Sequence, residues 1–128
     1  MPKQRNILLA LGYYDHRFHL GVARFAREHG WHLSSDMAYG RSIPWGWKGD
    51  GVISKIADDA ELLRFVRRLR VPVINVGRVS NDELPVVLID EPALVSMAVE
   101  HFVSRGFRNV SWCAAHMIRQ PAQRGALF

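Results

Sequence analysis

Ile7-Leu8-Leu9-Ala10-Leu11-Gly12-Tyr13-Tyr14-Asp15 is an unbroken apolar run that ends in a polar turn. Five consecutive apolar residues suit a strand covered on both faces, the environment of a parallel sheet. Asp15 stands where a helix N-cap belongs. Phe18, Val22, Phe25 and Ala26 then fall at helical spacing, and Gly30 occupies the position that ends a helix. This strand-turn-helix unit decides the fold, because the rest of the chain repeats it.

Trp31-His32-Leu33-Ser34-Ser35 reads as a second strand. Gly40, Pro44, Gly46 and Gly49 break the stretch that follows. Gly51-Val52-Ile53-Ser54 is a third strand. Asp58-Asp59-Ala60-Glu61 has the pattern of a capping box. Leu62, Phe65, Val66 and Leu69 form the buried stripe of the next helix, with Arg64, Arg67, Arg68 and Arg70 on its other face. Val71 to Gly77 is a fourth strand, with Pro72 at its start, where no ladder bond is lost. After a polar loop, Val86 to Ile89 is apolar again. Asp90 caps a helix with Leu94, Met97, Ala98, His101 and Phe102 along one face, and Gly106 ends it. Asn109 to Ala115 reads as a further strand. Strands alternating with helices imply right-handed crossovers. The expected fold is α/β, a three-layer α/β/α sandwich on a parallel sheet.

Composition agrees with one packed domain. The chain has 128 residues, 48% hydrophobic and 23% charged, which excludes a disordered tail. The net charge is +5, spread along the chain, so it permits an acidic partner without arguing for one. The single cysteine, Cys113, allows no internal disulfide and sits in the expected last strand beside Trp112, as a structural residue. No apolar run approaches the ~18 residues of a membrane span. The basic start is followed by only a strand-length apolar stretch, unlike a signal peptide. These features fit a cytoplasmic protein with no membrane association.

In parallel α/β sheets ligands bind at the carboxyl ends of the strands. The turn Gly12-Tyr13-Tyr14-Asp15-His16-Arg17 lies there. Its rings can stack on a sugar, while Asp15 and Arg17 bond hydroxyls; the plainer alternative is a helix cap among surface polar groups. Trp45 and Trp47 lie near Arg41 and Asp50 and either form a binding wall or pin a loop to the sheet. For Trp47 the pinning role is favoured. His16, His19, His29 and His32 lack the partners for a tetrahedral metal set, so neither metal nor cofactor is expected. His101 is expected to be partly buried and hydrogen-bonded. The arginine face of the helix from Leu62 to Arg70 reads as solvated. Phosphate-binding glycine loops and nucleophile elbows are absent from the sequence. A receiver domain would carry a phosphoacceptor Asp after the third strand, where this chain has Ser54-Lys55. Catalysis is not expected.

The run Val87-Leu88-Ile89-Asp90, then Ala93, Ala98, His101-Phe102, Gly106 and Asn109-Val110-Ser111, resembles the sensor domain of lactose-repressor-type regulators. Asp50 to Ile53 and Pro72 to Gly77 resemble two more of its strands. Phe102 stands where that family usually has Leu. Tyr14-Asp15-x-Arg17, Trp47-x-Gly49-Asp50-Gly51-Val52-Ile53 and Arg124-Gly125-Ala126-Leu127-Phe128 look more narrowly like XylR-type xylose-operon regulators. The resemblance implies the N-terminal lobe of a periplasmic-binding-protein-like I (LacI-type) sensor over residues 1–115. A hinge crossing and the start of a second lobe would occupy residues 116–128, so that the chain is a fragment.

On that resemblance the ligand is a small sugar, D-xylose by expectation, held between two lobes. Tyr13, Tyr14, Asp15 and Arg17 would line it, with Arg124 from the second lobe and Trp45 as a further candidate. A C-terminal AraC-family domain would bind DNA. The parent would be a homodimer, with the helix from Leu62 to Arg70 and the loop around Asn81 as candidate contacts. The fragment alone would bind sugar weakly, and its tail from residue 117 would pack loosely. The competing reading is a stand-alone flavodoxin-like enzyme or nucleotide-binding module, which needs a closing helix after Ala115. Pro121 and Gly125 interrupt that stretch. A solute-binding transport protein would need a secretion signal.

Overall fold

A computed structural model describes residues 3–40, 42–77, 84–113 and 124–127. The chain divides into two compact units, Met1–Leu88 and Ile89–Phe128. The expected lobe boundary at 115/116 and the loop around Asn81 lie outside the described residues.

The first unit holds a five-stranded, all-parallel sheet, an α/β fold compatible with a three-layer sandwich. The strands are β1 (Asn6–Leu11), β2 (His32–Ser34), β3 (Gly51–Lys55), β4 (Val73–Val76) and β5 (Val86–Val87). Their order is β2-β1-β3-β4-β5, so β1 lies between β2 and β3 and the direction of winding reverses there. The helices of this unit are α1 (His16–Glu28), α2 (Met37–Gly40) and α3 (Ala60–Arg68). Right-handed crossovers in opposite directions put α1 on one face and α2 and α3 on the other.

The apolar run that opens the fold is its deepest part. Leu8, Leu9 and Ala10 are buried, as is Leu11. Leu8 and Ala10 join Val52 beneath Met37 of α2 and Leu62, Phe65 and Val66 of α3. Burying such side chains contributes about 1.5–3 kcal/mol each relative to leaving them exposed. The Asp15 carboxylate accepts from the Phe18 amide at 3.1 Å and caps α1. Gly30, just past its end, has φ +65°, where a side chain would be strained.

The expected capping box is not formed. Asp59, not Asp58, is the N-cap of α3, accepting from Leu62 N at 2.9 Å, and this puts Glu61 too early to reach back. Trp47 pins its loop: its indole N–H donates to Ser34 Oγ at 3.3 Å and its ring fills the space beside Gly49. Asn6 ties the same loop to the sheet, accepting from Ser34 and donating to the Lys48 carbonyl.

In the second unit α4 (Glu91–Val103) is capped by Asp90, which accepts from Ala93 N at 3.0 Å. The expected apolar face is largely exposed, and His101, expected to be partly buried, is exposed with it. Val95 alone on this helix is buried, whereas Met97 is 71% exposed and His101 lies open. His101 Nδ1 meets Arg105 Nη1 at 3.0 Å on the surface. The expected strand at Asn109 is also absent over residues 109–113, which are irregular and exposed, and Cys113 with them. A strand forms only against a neighbour, and among the described residues none pairs with this segment. Trp112 instead packs its ring against Gly125.

Candidate functional site

The carboxyl ends of β1 and β3 meet where the strand order reverses. Leu11 pairs with Lys55, and the Gly12 amide donates to the Lys55 carbonyl at 2.9 Å. A Cβ on Gly12 would sit 2.2 Å from the Ile56 carbonyl oxygen, so only glycine lets the two backbones approach this closely. The turn leaving β1 is thereby laid across the end of β3.

That approach brings Asp15 to Lys55. Lys55 Nζ lies 2.6 Å from Asp15 Oδ2, while the other Asp15 oxygen caps α1. The ammonium stands 4.8 Å from the centre of the Tyr13 ring and 5.3 Å from that of Phe18. A carboxylate on one side and ring faces on two others form a partial cage around it. The Lys55 side chain keeps 15% exposure and that of Asp15 36%, so the pair still reaches solvent. The hydrogen bond from Lys55, helped by the Phe18 amide, lowers the Asp15 pKa below its ordinary value. Burial pulls the Lys55 pKa down, but its bonds to Asp15 and Tyr13 outweigh that and hold it above the usual lysine value. Both groups are therefore charged across the physiological range, and their charges cancel.

Tyr14, next in the turn, meets two histidines of α1. Its hydroxyl lies 3.3 Å from His19 Nδ1 and 3.5 Å from His16 Nδ1, and its ring meets His19 edge-on. Tyr13 and Tyr14 are each about half exposed. Behind this edge a buried amide braces β3 to β4. Asn75 Oδ1 accepts from Ser54 Oγ at 2.9 Å and from the Ile56 amide at 3.1 Å, and Asn75 Nδ2 donates to the Gly77 carbonyl at 2.7 Å.

Of the six residues expected to bind ligand, the structure gathers Tyr13 and Asp15 around Lys55, while Tyr14, in the same turn, meets His16 and His19. Arg17 is exposed on the first turn of α1. Trp45 does not join them. It packs edge-on against Phe65 at 5.3 Å with Arg68 at 5.9 Å from its ring, along the helix that covers the sheet. Arg124, in the second unit, forms a fork with Glu91 at 2.5 and 2.8 Å. Lys55 and Phe18 complete the site without having been expected there from sequence, and Gly12, named only as the start of the turn, is what lets it form. Their signal was slight: a cation ending the third strand, and a glycine ending the first.

A cavity of about 540 Å³ lies at the opposite edge, over the amino ends of β1, β3 and β4. Ile7, Ile53 and Ile74 form its floor, with Trp31, Arg5 and Asp50 around it. Its lining is mostly apolar, with Arg5 and Asp50 as its charged members, whereas ligands of parallel α/β sheets generally bind at the carboxyl ends of the strands. Among the described residues no three His, Cys, Asp or Glu side chains are grouped to hold a metal. No helix among them is long and apolar enough to cross a membrane. No protein-family model, curated protein or solved structure matches the chain.

Proposed function

We propose that the chain is the ligand-sensing part of a sugar-responsive transcription regulator in the cytoplasm, with D-xylose as its sugar. One observation carries this reading: Tyr13, Asp15 and Lys55 converge at the strand-order reversal, with Tyr14 next to them in the same turn. Two half-exposed phenols can stack on a sugar ring, and the charged pair can donate to and accept from its hydroxyls. The resemblance of Tyr14-Asp15-x-Arg17 to xylose-operon regulators supports the same ligand. The parent would be a homodimer that contacts DNA through an AraC-type domain. Sugar would act by favouring one lobe arrangement over another, as any ligand with unequal affinity for two states must. Arg17 would add a bond to the bound sugar. No catalytic step is part of this proposal.

Amide NMR titration of the chain tests it. D-xylose at millimolar concentration is expected to shift the resonances of Tyr13, Tyr14, Asp15 and Lys55 more than do other pentoses and hexoses. Shifts confined to the cavity at Ile53 and Ile74, or produced instead by a nucleotide or flavin, would overturn it and favour a nucleotide-binding module.

A further inference from the structure

Lys55 is a cation in a place where cations usually recruit phosphate or carboxylate. Here its partner is already supplied. Asp15 holds the ammonium at 2.6 Å, and the rings of Tyr13 and Phe18 flank it at 4.8 and 5.3 Å. We infer that Asp15 and Lys55 act as one neutral dyad that selects uncharged polyhydroxy ligands and rejects anions.

The argument is electrostatic and geometric. An ammonium has three N–H donors. One is spent on Asp15 and one on Tyr13, and the side chain is not fully enclosed, so the third can reach a ligand hydroxyl. An incoming phosphate or carboxylate would meet the Asp15 charge together with that of Lys55. At short range in a partly buried site the repulsion nearly cancels the attraction. A hydroxyl feels no such opposition and can accept from Lys55 while donating to the free lone pairs of Asp15. The two residues, the N-cap of α1 and the last residue of β3, lie 40 positions apart and are joined by the Gly12 approach, so the dyad is built by the sheet rather than by local sequence. Lys55 is then a ligand-binding residue, and Asp15 both binds and sets the charge that the site accepts. This inference rests on the sugar-sensor reading for the identity of the neutral ligand, but not for the rejection of anions.

The test uses the whole chain and two variants, titrated by amide NMR with D-xylose, D-xylonate and inorganic phosphate. Asp15→Asn keeps a residue that caps helices as well as Asp does, so α1 is retained. It should gain phosphate and xylonate binding by about tenfold or more over the unsubstituted chain, the size of one charge-assisted hydrogen bond no longer opposed. Lys55→Met should weaken D-xylose by about tenfold or more without attracting anions. The inference is overturned if the unsubstituted chain takes phosphate as readily as xylose, if Asp15→Asn gains no anion binding, or if Lys55→Met leaves xylose unaffected. If anion binding appears in Asp15→Asn while no variant responds to xylose, the charge filter stands and the sugar reading falls. If xylose shifts Tyr13 and Tyr14 but Lys55→Met changes nothing, the sugar reading stands and the dyad falls.

Discussion

Gly12 and Asn75 show how much of the candidate site depends on residues that touch no ligand. Replacing Gly12 by Ala would put a methyl group 2.2 Å from the Ile56 carbonyl oxygen, and backbone cannot give way as a side-chain tip can. Gly12→Ala is expected to lower stability by about 1–3 kcal/mol in urea unfolding and to move Asp15 off Lys55. Asn75 is fully buried, and its side-chain oxygen satisfies the Ile56 amide and the Ser54 hydroxyl. Asn75→Ala leaves both without that acceptor and should also cost about 1–3 kcal/mol. Asp15 was legible in the sequence because a carboxylate ahead of a helical stripe has a local meaning. Lys55 was not, because its meaning comes from pairing with Leu11, and a single sequence does not state which strands are neighbours. The two roles open to Trp45 look alike in sequence for the same reason, and the structure sets its ring against Phe65.

At the level of elements, helix existence was easier to read than what each helix packs on. The stripe Leu62, Phe65 and Val66 of α3 is buried as expected. The matching stripe on α4 is not, since periodicity shows that a helix is amphipathic but not where its partner lies. The cap of α3 offers a clean comparison between adjacent carboxylates. Asp59→Ala should cost about 1 kcal/mol, whereas Asp58→Ala should change stability by less than about 0.5 kcal/mol, both measured by thermal unfolding. The pattern Asp58-Asp59-Ala60-Glu61 fits two registers of a cap, and the structure uses the one without the reciprocal bond. Asn109 to Cys113 looked like a strand because aromatic and branched residues cluster there, yet a strand is a property of a pair.

For the molecule as a whole, alternation of strands and helices was sufficient to read a parallel α/β fold. The order β2-β1-β3-β4-β5 was beyond it, because crossover direction leaves no mark on local composition. The two units differ in how much they bury. Amide exchange should be slowest in β1 and β3, whose residues are largely buried, and much faster along α4, where Val95 alone is buried. Stability should also depend on pH through the Asp15–Lys55 pair. The Asp15 pKa is lowered in the folded chain, so its contribution is fully present above the ordinary value of 3.8 and is lost as pH falls through the folded value. The Lys55 pKa is raised, so its contribution holds below the ordinary value of 10.5 and fades as pH rises through the folded one. The stability difference between the chain and its Asp15→Asn variant should therefore be flat near neutrality and shrink in acid.

The contact between Asp15 and Lys55 closes a span of 40 residues, and β2 lies outside that span's own strand pair. The segment between them must leave β1, build an edge strand and return across the sheet before the two side chains can meet. Loop closure of this kind sets folding speed more than it sets final stability. In a refolding experiment, a probe at Tyr13 would therefore act as a clock for the crossing of the chain. It would stay silent while α1 forms locally and change only when the first and third strands find each other.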